Sequence, residues 1–230
     1  IQNKLFPIIH ERRAQGILLD GLRYRWAAMN PPMSEDDDEG YLGSEPLDPA
    51  LTDRFAFVVN MPSWDRYNEA EQLAIILADD SAVTVSSAAK LRTAVASTDA
   101  ALQSIKESIG DAVAVYVRTL VALLARAGVS LSPRRAGMLR RSVLAVHAAA
   151  LTLNADASPA NSALLAVRNG LPQIAEGRTV SETKLLGAHR EAWRLAGVKP
   201  GDPLRAILTT ADPVDRVRLA VAASKLSKGD

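Results

Sequence analysis

Apolar side chains follow two different patterns along the chain, and the change lies near residue 80. After that point they recur at the 3.6-residue spacing of a helix. An example is SIGDAVAVYVRTLVALLARAG at 108–128, a predicted helix that we expect to end at Gly128. Residues 131–153 predict another helix, with Ser132 as N-cap and Pro133 in the first turn. Its apolar stripe comprises Met138, Leu139, Val143, Val146 and Ala150. Further helices are predicted near 159–169, 181–196 and 213–226, so this part should be all-helical.

Before residue 80 the apolar runs are short and are typical of strands between helices. IQNKLFPIIHERR at 1–13 predicts an amphipathic helix, and a hairpin is expected around Asp20-Gly21, its second arm ending in a buried strand at 27–29. Asp48 and Pro49 predict the start of a short helix. FAFVVN at 55–60 predicts a strand, and a helix is expected to start at Ser63. This part therefore predicts an α/β arrangement.

The composition narrows the class of protein. Of 230 residues 48% are hydrophobic and 4% aromatic, which favours a helix-rich protein. The net charge is +1, so the chain has no overall positive field that would attract nucleic acid or a membrane surface. Cysteine is absent, which excludes disulfides and thiolate chemistry. The three histidines are far apart and form no zinc motif, so no metal site is predicted. Without a signal peptide or a long uncharged apolar run, we expect a cytoplasmic protein with no membrane partner.

Two short motifs stand close together between residues 25 and 62. The first is AAMNP at 27–31, and the second is PLDPALTDRF at 46–55. In this order they resemble the second half of an AAA+ ATPase core, most closely the MoxR branch, although the family's usual Thr is Ala28 here. The similarity extends back over 1–26 to the helix after the Walker B strand and the hairpin before sensor 1. It extends forward over 116–142 to the helical lid, and it covers most of 1–150.

The resemblance implies a fold that is α/β followed by all-α. We expect the C-terminal half of an AAA+ P-loop ATPase core, a parallel sheet with a hairpin insert, and then a helical-bundle lid. The implied domains are 1–80 for the half core, 81–154 for the lid with sensor 2, and 155–230 for a helical extension of the lid.

Four residues match functional positions of the family. Asn30 matches sensor 1, which orients the attacking water or contacts the γ-phosphate, and Arg54 matches the arginine finger that reaches the neighbouring subunit's nucleotide. Arg134 and Arg135 both lie where sensor 2 is expected, and Arg134 is favoured because it directly follows Ser-Pro. Simpler interpretations stay open: Asn30 could shape a turn, Arg54 could pair with Asp53, and the other two could be solvated first-turn residues.

The phosphate-binding loop of such an ATPase is not present in the chain. No lysine is followed by Ser or Thr, so the Walker A and Walker B segments, and with them the Mg²⁺ ligands, are expected outside this sequence. LAIILADD at 73–80 imitates a Walker B strand but follows Arg54, and we interpret it as the end of a helix. The chain alone is expected not to hydrolyse ATP.

The leading hypothesis is therefore that the chain is part of a ring-forming ATPase. The ring is expected to be a hexamer and to bind ATP and Mg²⁺. The resemblance implies a MoxR-like chaperone or activator that remodels a partner protein, with a von Willebrand A domain protein as a candidate partner. The alternative is a catalytically silent interaction or scaffold module. A nucleic-acid motor is a weaker hypothesis, since no basic stripe is interleaved with aromatics. The acidic run 35–39 is expected to be a solvated loop or a partner contact, and it does not fit a calcium loop.

Overall fold

Helices provide most of the regular structure in the computed structural model. The structure describes residues 4–30, 32, 45–77, 85–199, 201–210 and 212–226, and the side chains of 85, 86, 225 and 226 are not among those described. In chain order the elements are β1 (Arg13–Ala14), β2 (Ile17–Leu18), α1 (Pro49–Thr52), α2 (Glu69–Ile76), α3 (Val85–Arg126), α4 (Pro133–Leu153), α5 (Pro159–Gly170), α6 (Glu182–Ala196), α7 (Pro203–Thr209) and α8 (Pro213–Leu226). Shorter helical turns cover Pro7–Glu11, Trp64–Arg66 and Gln173–Glu176.

The predicted fold class, a parallel sheet with a hairpin insert followed by helices, is wrong. The structure is 68% helical, and within the described ranges the one sheet is the antiparallel pair of β1 and β2. The runs at 27–29 and 55–60 form no strands. A strand needs a neighbour for its backbone hydrogen bonds, and parallel strands need cover on both faces. Instead Trp26 is 92% exposed, and in the second run the Val58 N–H donates to the Asn169 carbonyl at 2.6 Å.

The hairpin lies earlier than predicted. Arg13 pairs with Leu18 and Ala14 with Ile17, so the turn is Gln15-Gly16. Both turn residues have positive φ, 50° and 84°. A two-residue hairpin turn with positive φ at both positions matches the twist of its strands, so this short pair closes without Asp20-Gly21.

The helix boundaries follow the predicted caps over most of the chain. The Asp48 carboxylate accepts a hydrogen bond from the Ala50 N–H at 2.7 Å, and the Ser132 hydroxyl accepts one from the Arg135 N–H at 3.0 Å. α3 ends at Arg126, two residues before Gly128 with its φ of 89°. The helices predicted near 131–153, 159–169, 181–196 and 213–226 are present as α4, α5, α6 and α8.

Several helices depart from the prediction. α3 begins at Val85 rather than near residue 108, and the regular part of the helix predicted over 1–13 is the short turn Pro7–Glu11. α2 begins at Glu69, six residues later than expected, because Asn68 and Glu71 form a reciprocal capping box with distances of 3.0 and 2.9 Å. It ends at Ile76, which confirms that the start of LAIILADD is the end of a helix; residues 78–80 lie outside the described ranges. α7 was not predicted, although Asp202 caps it at 2.8 Å from the Leu204 N–H.

Two compact units share the chain. The first comprises Ile1–Ile105 with Ser142–Arg178, and the second Lys106–Arg141 with Thr179–Asp230. The buried apolar residues of the first unit include Leu51, Leu144, Ala148, Ala163, Ala166, Val167 and Leu171. Those of the second include Val113, Val117, Leu120, Leu124, Leu139, Leu185, Ala192 and Leu195. The domain boundaries predicted near 80 and 154 remain predictions.

One stretch of α3 is long and apolar enough to cross a membrane. The stretch includes Val113, Val117, Leu120 and Leu124, which are buried in the second unit. Core helices meet the same criterion of length and composition, so this feature is weak evidence for a membrane span, and the cytoplasmic location stays a prediction.

Candidate functional site

Arg54 is held in place in the turn that follows α1. Its Nη1 donates to the Ala50 carbonyl, and its guanidinium carbon lies 4.5 Å from the centroid of the Phe6 ring. The Arg54 Nε is buried and has no hydrogen-bond partner among the described residues. Within those residues Arg54 forms no ion pair with Asp53, so the simple surface pair does not account for its position.

The turn that carries Arg54 is anchored to the segment after α5. The Thr52 hydroxyl donates to Glu176 Oε1 at 2.7 Å, and the Leu47 N–H donates to the Ala175 carbonyl at 2.9 Å. Thr52 is 1% exposed and the Glu176 side chain 5%. Arg178 Nη2 also donates to Glu176. A buried carboxylate with two donors ties the turn to the Gln173–Glu176 segment, 124 residues away from Thr52 in sequence.

Asn30 is exposed at the end of segment 22–30, which has no regular secondary structure. The strand expected to carry it is absent, and Pro31, the next residue of its motif, lies outside the described ranges. No hydrogen bond joins Asn30 to Arg54 among the described residues, although both belong to the first unit.

The structure separates the two sensor 2 candidates by burial. Arg134 is exposed on the first turn of α4, whereas Arg135 is 1% exposed, with its Nη1 3.8 Å from Met138 Sδ. A buried guanidinium is committed to internal packing, whereas an exposed one can meet an anion. Arg134 is thus the residue of the pair that can contact a ligand. Both belong to the second unit.

Sequence reasoning missed a buried aromatic cluster in the second unit. The Tyr116 hydroxyl lies 2.9 Å from His189 Nδ1, and the Trp193 ring lies 5.3 Å from the Tyr116 ring at 70°. Burial raises the pKa of the Tyr116 phenol above its ordinary value near 10. His189 and Trp193 are one turn apart on α6, a spacing that could have indicated a shared face but not the partner on α3. The cluster joins α3 to α6 inside the second unit.

A second buried histidine joins α4 to α5. His147 Nδ1 lies 3.2 Å from the Ser162 hydroxyl, and burial lowers the pKa of His147 below its ordinary value near 6.5. The neutral imidazole is therefore favoured in the folded state.

The described residues do not form a binding site for the ATP and Mg²⁺ that the resemblance implies. They offer only individual arginine side chains. No group of three His, Asp or Glu side chains within the described ranges could hold a metal ion. The sequence has no lysine followed by Ser or Thr to cradle phosphates. Arg134 and Arg54 offer positive charge to an anion but do not enclose one.

Comparisons with protein-family models, with curated proteins and with solved structures found no match to this chain.

Proposed function

We propose that this chain supplies the arginine finger and the helical lid of a ring-forming ATPase that remodels a partner protein. The observation that carries the proposal is the anchored turn of Arg54. Its base is fixed by the buried Thr52–Glu176 hydrogen bond of 2.7 Å, and its guanidinium is held over Phe6 without a carboxylate partner among the described residues. A fixed cation that is not neutralised internally suits the stabilisation of charge on another molecule.

The chemistry assigned to the chain is electrostatic. Charge develops on the transferred phosphoryl group, and an arginine supplied from a neighbouring subunit accelerates hydrolysis by roughly 10³- to 10⁵-fold. Arg54 takes this role, and exposed Arg134 contacts the nucleotide of its own subunit and so couples the position of α4 to nucleotide binding. Asn30 orients the attacking water in the sensor 1 role. The phosphate cradle and the Mg²⁺ ligands come from residues outside the described set.

The partner and the assembly are supported by the resemblance alone. A hexameric ring and a partner protein with a von Willebrand A domain belong to the proposal as the family features that accompany the motifs at 27–31 and 46–55.

ATP turnover by the full-length protein tests the proposal. Arg54→Ala should lower turnover by roughly 10³-fold or more, with ATP binding retained, because it removes charge stabilisation and leaves the nucleotide pocket intact. Arg66→Ala is the matched control, since Arg66 is exposed on the Trp64–Arg66 turn, and its turnover should stay within about twofold of wild type. Wild-type turnover in Arg54→Ala would remove the finger from the proposal.

A second function is favoured by a different observation. Several large apolar side chains on the segments without regular secondary structure are exposed, among them Tyr24, Trp26, Val59 and Met61. Exposed apolar surface of this kind marks interaction sites. If the full-length wild-type protein neither binds nor hydrolyses ATP, the interaction or scaffold module becomes the function of the chain.

A further inference from the structure

The helix α8 presents a row of valines to solvent. Val214, Val217 and Val221 are 59%, 62% and 49% exposed. They are three and four residues apart in sequence, and at about 100° of rotation per residue they lie within about 60° of one another around the helix. One face of α8 is therefore an apolar stripe, named here the valine stripe.

The valine stripe points away from the helix that packs against α8 in its own chain. α7 and α8 are in contact with each other. By the same helical spacing, Leu219 and Ala223 lie on the side of α8 opposite the stripe. Of the α8 side chains that the structure describes, Ala223 is half-buried and the others are exposed, with Leu219 at 37%. α8 therefore turns its Ala223 side towards α7 and leaves the valine stripe uncovered by the described residues.

The orientation of the stripe is defined by the start of α8. The Asp212 carboxylate accepts hydrogen bonds from the Val214 N–H at 2.7 Å and from the Asp215 N–H at 3.1 Å. The Arg216 guanidinium donates to the Thr210 carbonyl at 2.8 and 3.2 Å, which ties the first turn to the residue that follows α7. Because these bonds fix the first turn, they also fix which side of α8 carries the valines.

An ion pair borders the valine stripe along one flank. Arg218 Nη1 lies 3.1 Å from Asp215 Oδ1, and the two side chains are 76% and 57% exposed. The opposite flank carries the small residues Ala220 and Ser224. The stripe therefore has one charged border and one border that allows another helix to approach closely.

We propose that the valine stripe packs against the same stripe of a second copy of this chain, with the two α8 helices antiparallel around a two-fold axis at Val217. Val214 is three residues before the axis and Val221 four residues after it, so each lies almost level with the other across the contact. Asp215 is two residues before the axis and Arg218 one residue after it, so the carboxylate of one copy comes beside the guanidinium of the other. The surface is thus self-complementary, which a two-fold contact requires.

Charge favours the antiparallel orientation. A parallel pair of α8 helices would place Asp215 beside Asp215 and Arg218 beside Arg218, and like charges at such positions destabilise a helix pair. The antiparallel pair places opposite charges side by side at both ends of the charged flank. The contact goes beyond the proposed ATPase function, because it uses neither Arg54 nor Arg134 and needs no nucleotide.

A membrane surface fits the valine stripe less well. Helices that lie on membranes carry large apolar side chains such as Trp, Phe or Leu on the face that enters the lipid. The stripe contains valines alone, and its charged flank includes Asp215, which an anionic lipid surface repels.

Sedimentation equilibrium of the full chain without nucleotide tests the contact. Wild-type protein should form dimers, and Val217→Glu should raise their dissociation constant by about 100-fold or more, because it buries a charge from each copy at the axis. Val95→Glu is the matched control: Val95 is a helical valine on α3, 54% exposed, and this variant should dimerise as the wild type does. Both substitutions are at exposed positions, so both variants should keep the wild-type circular dichroism spectrum.

Mixing two charge variants tests whether the ion pairs form between copies. Asp215→Lys and Arg218→Glu each place like charges across the contact twice, so each variant alone should dimerise about fivefold more weakly, or worse. An equimolar mixture pairs the new cation with the new anion and the two native charges with each other. Dimerisation should therefore return towards the wild-type level, whereas an ion pair within one helix could not be restored by mixing.

Disulfide trapping tests the orientation, since the chain has no cysteine of its own. Val217→Cys places a thiol at the axis in both copies and should form an intermolecular disulfide. Val214→Cys should not, because the antiparallel contact separates the two positions by about 9 Å along the helices, which is beyond the reach of a disulfide.

Each result has a defined meaning. A wild type that stays monomeric, a dimer that Val217→Glu leaves intact, or a mixture as weak as its components would overturn the inference. Disulfides in both cysteine variants would indicate a parallel contact and overturn the proposed axis. If monomeric wild type binds vesicles of anionic phospholipid and Val217→Glu does not, the stripe belongs to a membrane contact instead. Since no nucleotide is present, a failure of the proposed ATPase function does not affect these results.

Discussion

Replacing Thr52 with Val should loosen the turn that carries Arg54. The hydroxyl has one proton and two acceptors, Glu176 Oε1 at 2.7 Å and the Pro49 carbonyl at 3.0 Å. The shorter bond to a charged acceptor should dominate. Valine keeps the shape of the side chain but removes this donor from a carboxylate whose side chain is 5% exposed. Hydrogen bonds to charged groups contribute about 1.5–3 kcal/mol, so the free energy of unfolding should fall by about 2 kcal/mol.

Urea unfolding followed by circular dichroism measures this loss, and hydrogen exchange of the Leu47 amide reports it locally. Leu47 N–H donates to the Ala175 carbonyl at 2.9 Å in the same anchor, so its exchange should accelerate in Thr52→Val. Thr209→Val is the matched control: Thr209 is exposed on α7, and its hydroxyl donates at 2.8 Å to the Arg205 carbonyl of its own helix.

A double-mutant cycle with Glu176→Gln should give a coupling energy of about 1 kcal/mol between positions 52 and 176. If Thr52→Val costs no more than Thr209→Val and leaves Leu47 exchange unchanged, the anchor does not hold the turn.

Three further predictions concern the helices. Ser132→Ala should cost about 1 kcal/mol in urea unfolding, because it removes a cap at 3.0 Å, whereas Ser158→Ala, with a cap distance of 3.5 Å, should cost less; equal costs would contradict the ranking. His147 binds a proton less readily in the folded than in the unfolded protein, because burial lowers its pKa. The free energy of unfolding should therefore fall as the pH drops below about 6.5 and towards the lowered pKa. His147→Gln should reduce this dependence of the unfolding free energy on pH, and an unchanged dependence would exclude His147 as its source. Tyr116→Phe removes the hydroxyl 2.9 Å from His189 Nδ1 and should lower the melting temperature by an amount equivalent to about 1 kcal/mol, and an unchanged melting temperature would contradict this contribution.

Local signals allowed much of the helical part to be predicted. Ser132 and Pro133 mark the start of α4, and Gly128 marks the end of α3, because caps and left-handed residues act within one turn. The strand predictions failed because strand pairing is not decided by local signals. FAFVVN at 55–60 is apolar and β-branched enough for a strand, but whether such a run pairs depends on residues far away in sequence.

The candidate site shows the same limit. Arg54 and Arg134 were identified from short motifs, but their different surroundings were not predictable. The anchor of Arg54 joins residues 124 positions apart, and the distinction between Arg134 and buried Arg135 arises from how α4 is rotated against its neighbours. Neither property has a signature within a few residues of the arginines.

The exposure of Trp26 has a practical optical consequence. At 92% exposure its indole is in contact with water and open to collisional quenchers such as iodide, whereas Trp193 lies against His189 and Tyr116 in the second unit. The intrinsic fluorescence of the chain should therefore contain a red-shifted, readily quenched component, mostly from Trp26 and in smaller part from Trp64, which is 50% exposed. A binding partner that covers the segment 22–30 should shift that component to the blue and protect it from iodide. The native chain thus carries its own probe for binding at this segment, and no label is needed.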